Sequence, residues 1–232
     1  MFANTLWRAP RPLGKTLRFM KTLSSNPHIK AFPVAHQPNT YVLTYLEKEP
    51  PTEQLAIGTT IALPPTPRSF IENPAFVSIL NEVLIDYAPH DEYLKSQAKA
   101  FAGPGGTTLG SGGAFFAGGR NKRTSAGLGA GGGAGGGGGG GASAQGGAGG
   151  GGVGGYVHLS DSRNPPDFGR IAWPEDILGS IEVDGNGSIV GKFEPSGTYR
   201  LVTNEGILGL SSYLRGKLIQ RLREKENQLT SS

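Results

Sequence analysis

The sequence predicts a small α+β fold, with strand pairs and a hairpin in two halves and helices covering one face. Three observations predict it. Short β-branched and aromatic runs are bounded by turn residues. Two stretches repeat apolar residues at helical spacing behind good capping residues. A glycine tract across residues 102–155 holds 28 of the 39 glycines and separates the two groups. Strands and helices in this mixed order pack as layers, with the helices on one side of an antiparallel sheet.

The first half spans residues 36–101. Tyr41 to Leu46 is β-branched and aromatic and reads as a strand, ended by Glu49-Pro50-Pro51. Leu55 to Leu63 reads as a second strand, stopped by Pro64-Pro65, and the chain through Pro67 is extended for want of backbone donors. Asn73-Pro74 starts a helix, with Asn as N-cap and Pro at the first helical position. Phe76, Val77, Leu80, Val83, Leu84 and Tyr87 then mark its buried face. Glu82 and Asp86, four apart on the polar face, read as solvated charges and not as an acid–base pair. After Pro89 a second helix is expected from Asp91 to Phe101, with acids first and lysines last, as the helix dipole prefers.

The tract that follows contains almost no side chain able to build a core. No acidic residue occurs between Glu92 and Asp161, and the tract's charges are Arg120, Lys122 and Arg123. Such a segment is expected to be disordered, because it cannot bury enough apolar surface to offset its ordering entropy. An RNA-binding glycine-rich arm would need interleaved Arg and aromatics, and there is one basic cluster and one Phe115-Phe116 pair. A surface insertion is the simpler reading, and lengthening such a loop costs only about 0.6 kcal/mol per doubling.

The second half spans residues 156–232. Tyr156 to Leu159 is a short strand, and Pro174-Glu175-Asp176 opens a single helical turn. Ser180 to Val183 and Ser188 to Val190 flank Asp184-Gly185-Asn186-Gly187, which predicts a hairpin. Thr198 to Thr203 reads as a third strand, turned by Asn204-Glu205-Gly206. Ser211 caps a helix from Ser212 to about Asn227, with Leu214, Leu218 and Leu222 as its apolar stripe, widened by Ile219. The other faces of this helix carry Arg215, Lys217, Arg221 and Arg223. These are candidate contacts to RNA phosphates or to an acidic partner, against the simpler reading of a solvated face.

The N-terminal arm, residues 1–35, is different. Glu47 is the first acidic residue, and Arg8, Arg11, Lys15, Arg18, Lys21 and Lys30 precede it. Leu13, Leu17 and Met20 share one helical face. An amphipathic, basic, acid-free start predicts a mitochondrial transit peptide with a flexible arm, and a matrix location or the matrix face of the inner membrane. The chain carries 22 basic and 18 acidic residues; removing residues 1–30 takes six basic and no acidic ones, leaving 16 against 18. The positive charge therefore belongs largely to the address and does not argue for a nucleic-acid surface.

Catalytic signatures are weak. With no cysteine there is no disulfide, thiolate nucleophile or Cys-ligated metal. His28, His36, His90 and His158 are scattered, so no metal site is expected. Gly14-Lys15-Thr16 resembles a P-loop end, but Ala9 stands where its first glycine belongs. Asp184, Asn186 and Ser188 resemble a calcium loop, but Ile189 and Pro195 occupy its Gly and Glu positions. His158, Ser160 and Asp161 are of the right types for nucleophilic catalysis, without a nucleophile elbow. No cofactor is expected, and no apolar run approaches the ~20 residues that span a bilayer. The expectation is a non-catalytic accessory subunit of a mitochondrial multi-protein assembly. The mitochondrial ribosome comes first, an accessory or assembly factor of a respiratory-chain complex second, and a matrix enzyme third.

Overall fold

The computed structural model describes residues 20–35, 37, 39–103, 154–167 and 170–231. The Leu13-Leu17 face and the body of the glycine tract lie outside them. Among the described residues the architecture is α+β, with small antiparallel sheets and three α-helices.

The first sheet has five strands in sequence order: β1 (Lys21–Thr22), β2 (Lys30–Pro33), β3 (Tyr41–Thr44), β4 (Gly58–Thr60) and β5 (Phe70–Glu72). Its first two strands lie inside the stretch that the sequence assigns to a flexible arm. Leu23, Ile29, Ala31 and Phe32 there are buried, so residues 21–33 belong to the folded body and not to an arm. The predicted strand from Leu55 to Leu63 shrinks to three residues, with a 3-10 turn at Glu53–Leu55 ahead of it. Its return partner is β5, Phe70–Glu72, a strand not assigned from the sequence.

Helix α1 (Pro74–Tyr87) starts as expected: Asn73 Oδ1 accepts from the Ala75 amide at 3.0 Å, and Asn73 Nδ2 donates to the Ala56 carbonyl at 2.7 Å. The cap thus also ties the helix to the loop before β4. Phe76, Ile79, Leu80, Val83 and Leu84 form its buried face. Helix α2 (Glu92–Ala102) is capped by Asp91, which accepts from the Tyr93 amide at 2.8 Å.

The second sheet joins β6 (Gly155–Ser160), β7 (Ile177–Val183) and β8 (Glu194–Pro195) in that order. The predicted hairpin after Val183 has its turn but almost no return strand: Val183 and Ile189 form a single bridge, and β7 pairs instead with β6 along its length. Gly187 has φ +77°, and its backbone sits so close to Ala98 and Lys99 of α2 that a Cβ would fall 2.7 Å from the Ala98 carbonyl. That packing, with positive φ, is open only to glycine. The predicted third strand reduces to β9 (Val202–Thr203), paired with β10 (Gly206–Ile207) across Asn204-Glu205.

Helix α3 (Ser212–Ser231) runs four residues beyond Asn227. Ser211 caps it, accepting from the Leu214 amide at 3.1 Å. Leu214, Leu218 and Leu222 are each at most 1 % exposed. They meet residues of the first half in one continuous core that includes Leu43, Ile57, Phe76, Leu80 and Leu94. The Tyr45 and Phe76 rings stack beside it, 6.4 Å apart at 21°. Polar ties cross between the halves as well: Asn26 Nδ2 donates to the Leu208 carbonyl at 2.9 Å, and the Leu201 amide donates to Glu72 Oε1 at 3.1 Å. The segments on either side of the tract therefore share a single interior.

Candidate functional site

The four cations proposed on α3 have separate fates. Arg221 Nη2 lies 3.2 Å from Asp86 Oδ2 of α1 and its Nε 3.9 Å from Glu224. Lys217 Nζ sits 4.9 Å from the centre of the Tyr87 ring and 5.8 Å from that of Tyr213. Arg215 donates to the Leu210 carbonyl at 3.4 Å. Arg223 is exposed, with no ion pair or hydrogen bond among the described residues. Lys225, a fifth cation of this helix, pairs with Glu82 at 3.4 Å. Glu82 and Asp86, expected to be merely solvated, thus fasten α1 to α3. Beside them an open groove of about 420 Å³ is lined by Leu55, Ala75, Ile79 and Leu229, with the Glu82–Lys225 pair on its rim.

The residues weighed as a nucleophilic set are not brought together as one. His158 Nδ1 is 2.7 Å from the Ser180 hydroxyl, its register partner on β7, and not joined to Ser160. Burial holds the imidazole below its ordinary pKa, so it is neutral near pH 7. Asp184 Oδ1 accepts from the Asn186 and Ser188 amides, both at 2.8 Å, and so builds the turn itself. Among the described residues no three His, Asp or Glu side chains gather as metal ligands.

The most developed polar constellation was only partly visible in the sequence. Asp161, weighed as a catalytic acid, belongs to a buried ionic cluster with Arg163 and Asp176. Both carboxylates are fully buried, and the arginine side chain is 4 % exposed. Arg163 Nε donates to Asp176 Oδ1 at 2.8 Å. Its Nη1 donates to the Leu201 carbonyl at 3.0 Å; its Nη2 donates to the Glu175 and Arg200 carbonyls at 3.0 and 2.8 Å. Asn164 Nδ2 reaches the other Asp176 oxygen at 3.0 Å. The guanidinium also lies over the Tyr199 ring, 5.4 Å from its centre. A planar fork of fixed donors is what such a set of convergent acceptors requires, and lysine could not replace it.

Asp161 completes the cluster. Its Oδ1 accepts from the Arg163 and Gly209 amides at 2.8 and 2.9 Å, and its Oδ2 from the Tyr199 hydroxyl at 2.7 Å. Burial pushes its carboxyl above the ordinary value of 3.8, with Arg163 and these hydrogen bonds opposing. A Cβ on residue 209 would lie 2.9 Å from both the Arg163 nitrogen and Asp161 Oδ1, so Gly209 lets the backbone approach. The Tyr45 hydroxyl is buried without a hydrogen-bond partner among the described residues. Burial first, then the nearby Asp161 charge, holds it protonated.

Chemically, this arrangement is a clamp. Every strong donor of Arg163 is directed at protein oxygen, and the bonds join four chain segments at 161–164, 175–176, 200–201 and 209. The sequence does carry one sign of it. The run Asp161-Ser162-Arg163-Asn164 sits directly before Pro165-Pro166, charged residues beside a stiff extended turn. Compared with protein-family models, with curated proteins and with solved structures, the chain matches none.

Proposed function

We propose that the chain is a non-catalytic accessory subunit of a mitochondrial assembly, the mitochondrial ribosome first, held there mainly by contacts to protein. The observation that carries this reading is the division of charge along the chain. Arg8, Arg11, Lys15 and Arg18 all precede Met20, and from there on 18 basic residues face 18 acidic ones. The basic, acid-free stretch thus ends just before β1, and removing it takes away none of the described strands.

Two further observations support the accessory role. The buried ionisable groups of the Arg163 cluster are engaged with structural acceptors, and such a cluster fixes loops. On α3, Arg221 and Lys217 have partners within the chain, so the cation set open to RNA phosphates narrows toward Arg223, and the balance shifts to protein contact. The test has two steps. Changing Arg8, Arg11, Lys15 and Arg18 to Glu is expected to stop import into mitochondria. Matrix particles carrying the unchanged chain are then separated on a sucrose gradient. Co-migration with a ribosomal subunit is the expected result; co-migration with a respiratory complex selects the second assembly, and normal import of the glutamate variant removes the reading.

A further inference from the structure

We propose that the outer edge of β6, with the flank of α2 above it, is a slot that takes an extended, uncharged segment of a partner protein as an added strand; this deepens the accessory-subunit reading and rests on it. β6 is an edge strand of its sheet. The other edges of the two larger sheets are β1, β5 and β8, with two or three residues each. Each of them carries a charge: Lys21, Glu72, or Glu194 beside Pro195. Short length, charge and proline blunt an edge against further pairing. β6 has six residues, from Gly155 to Ser160, with no charge and no proline.

The pairing pattern leaves its outer side open. On β7 the Leu178 and Glu182 carbonyls accept from the Ser196 and Val190 amides at 3.0 and 3.1 Å, so these residues face β8. Ile181 and Val183, on either side of Glu182, therefore face β6, where they register with Val157 and Gly155. The amides and carbonyls of Tyr156 and His158 alternate with these and point away from β7. None of these four groups forms a hydrogen bond among the described residues. Another extended backbone offers donors and acceptors at the matching spacing.

The helix above completes the slot. α2 packs on β6, and α1 on β8. α2 runs against the direction of β6. Its last turns meet Gly187 beyond the end of β7, and Asp91 at its start bonds to Ser211, close to the Gly209 that reaches Asp161 just after β6. With Val157 and Leu159 facing a right-handed helix in that direction, Tyr93, Gln97 and Ala100 form the flank turned away from α1, above the open edge. Tyr93 and Ala100 are exposed, and none of the three is charged.

This overhang selects the occupant. A second copy pairing β6 with β6 across a two-fold axis would set the strands about 5 Å apart, and the two α2 helices above them at about the same separation. Helices pack at roughly 8–10 Å, so the copy is shut out. A lone strand brings no helix and fits. A polyanion finds no cationic groove here: α2, β6 and β7 carry Glu92, Lys95, Lys99 and Glu182, two acids against two bases, and Lys95 is bonded to Glu92 at 2.8 Å. The guest's side chains facing α2 meet Tyr93 and Ala100, which suits small or apolar residues there and no charge.

The experiment places a benzophenone amino acid at position 93 of the full-length chain in its own cells, with the exposed Val190 as control position. The expected result is one discrete protein adduct, specific to position 93, whose linked segment is free of charged residues over about four positions. In parallel, Tyr93→Lys, on an exposed flank, is expected to leave the melting temperature unchanged and to weaken co-sedimentation with the assembly at least about tenfold. Tyr156→Pro removes an outward amide and no bond to β7, and should weaken it likewise. No adduct, an adduct of two copies of this chain, a link within the chain, a nucleic-acid adduct, equal yield at both positions, or unchanged co-sedimentation of Tyr93→Lys would each overturn the proposal. An adduct with a protein from outside mitochondria keeps the strand slot and removes the mitochondrial reading, so the two failures are distinguishable.

Discussion

Asp91 and Ser211 join the N-termini of two helices that lie on opposite sides of the glycine tract. One Asp91 oxygen accepts from the Tyr93 and Leu94 amides at the start of α2; the other accepts from the Ser211 hydroxyl, which itself accepts from the Leu214 amide in the first turn of α3. Ser211→Ala removes a helix cap and leaves a buried Asp91 oxygen unpaired, with an expected loss of about 1–3 kcal/mol. In a double-mutant cycle with Asp91→Ala, urea titrations should give a coupling of at least about 0.5 kcal/mol. Additive losses would mean that the two caps act separately.

Leu218 is fully buried at the centre of the α3 stripe. Leu218→Ala should cost about 2–5 kcal/mol, a large part of the stability of a domain this size. Denaturant unfolding of the purified chain measures it. A loss under about 1 kcal/mol would place the residue at a surface.

Arg163 is the keystone of the clamp, so removing its charge strands two buried carboxylates. Arg163→Met should destabilise by about 3–5 kcal/mol. Arg163→Lys should recover little, because the ammonium cannot reach the Leu201, Glu175 and Arg200 carbonyls together. Full recovery by lysine would show that charge alone, without the fork, holds these segments.

His158 gives stability a pH dependence of known sign. Its folded pKa lies below the ordinary 6.5 because burial disfavours the charged ring. Between the folded value and 6.5 the unfolded chain binds more protons, so this contribution is complete above 6.5 and is lost as pH falls through the folded value. Asp161 acts with the opposite sign at lower pH: its raised carboxyl favours the folded state below 3.8, and that gain is lost as pH rises through the folded value. The difference in unfolding free energy between the chain and His158→Gln, followed from pH 7 to pH 5, isolates the histidine. A flat difference would mean that the ring is solvated.

On α3, Arg223→Gln should leave stability within about 0.5 kcal/mol, whereas Arg221→Gln also releases Asp86 from its partner. If rRNA is contacted by this helix, Arg223→Gln alone should reduce the salt sensitivity of association. Unchanged co-sedimentation of the Arg215, Arg221 and Arg223 triple Gln variant across a salt series removes the helix from any RNA interface.

Helix starts were legible because a cap is a local event: Asn73-Pro74, Asp91 and Ser211 each announce the amide they accept within three residues. Short strands were not. Phe70–Glu72 and Glu194–Pro195 are strands because β4 and β7 lie beside them, and neither has a period of its own. The loss of Thr198 to Arg200 from β9 has the same origin, since Thr198 and Arg200 bond to the Pro174 and Glu175 carbonyls across the loop. The Arg163 cluster was legible only in its local run, because its acceptors stand up to 38 residues away. The Arg221–Asp86 pair was not legible at all, with a separation of 135 residues.

The shared interior sets the order in which the chain can be completed. Leu43, Phe76, Leu80 and Leu94 are made first, and their neighbours Leu214 and Leu218 arrive last. Until then the leading segment carries an uncovered apolar face, a binding surface for a chaperone. Truncation before Leu222 therefore removes interior and not tail. A cut between residues 103 and 154, by contrast, leaves every described residue of that interior in one piece or the other, so two separately made pieces should find each other and close as one molecule.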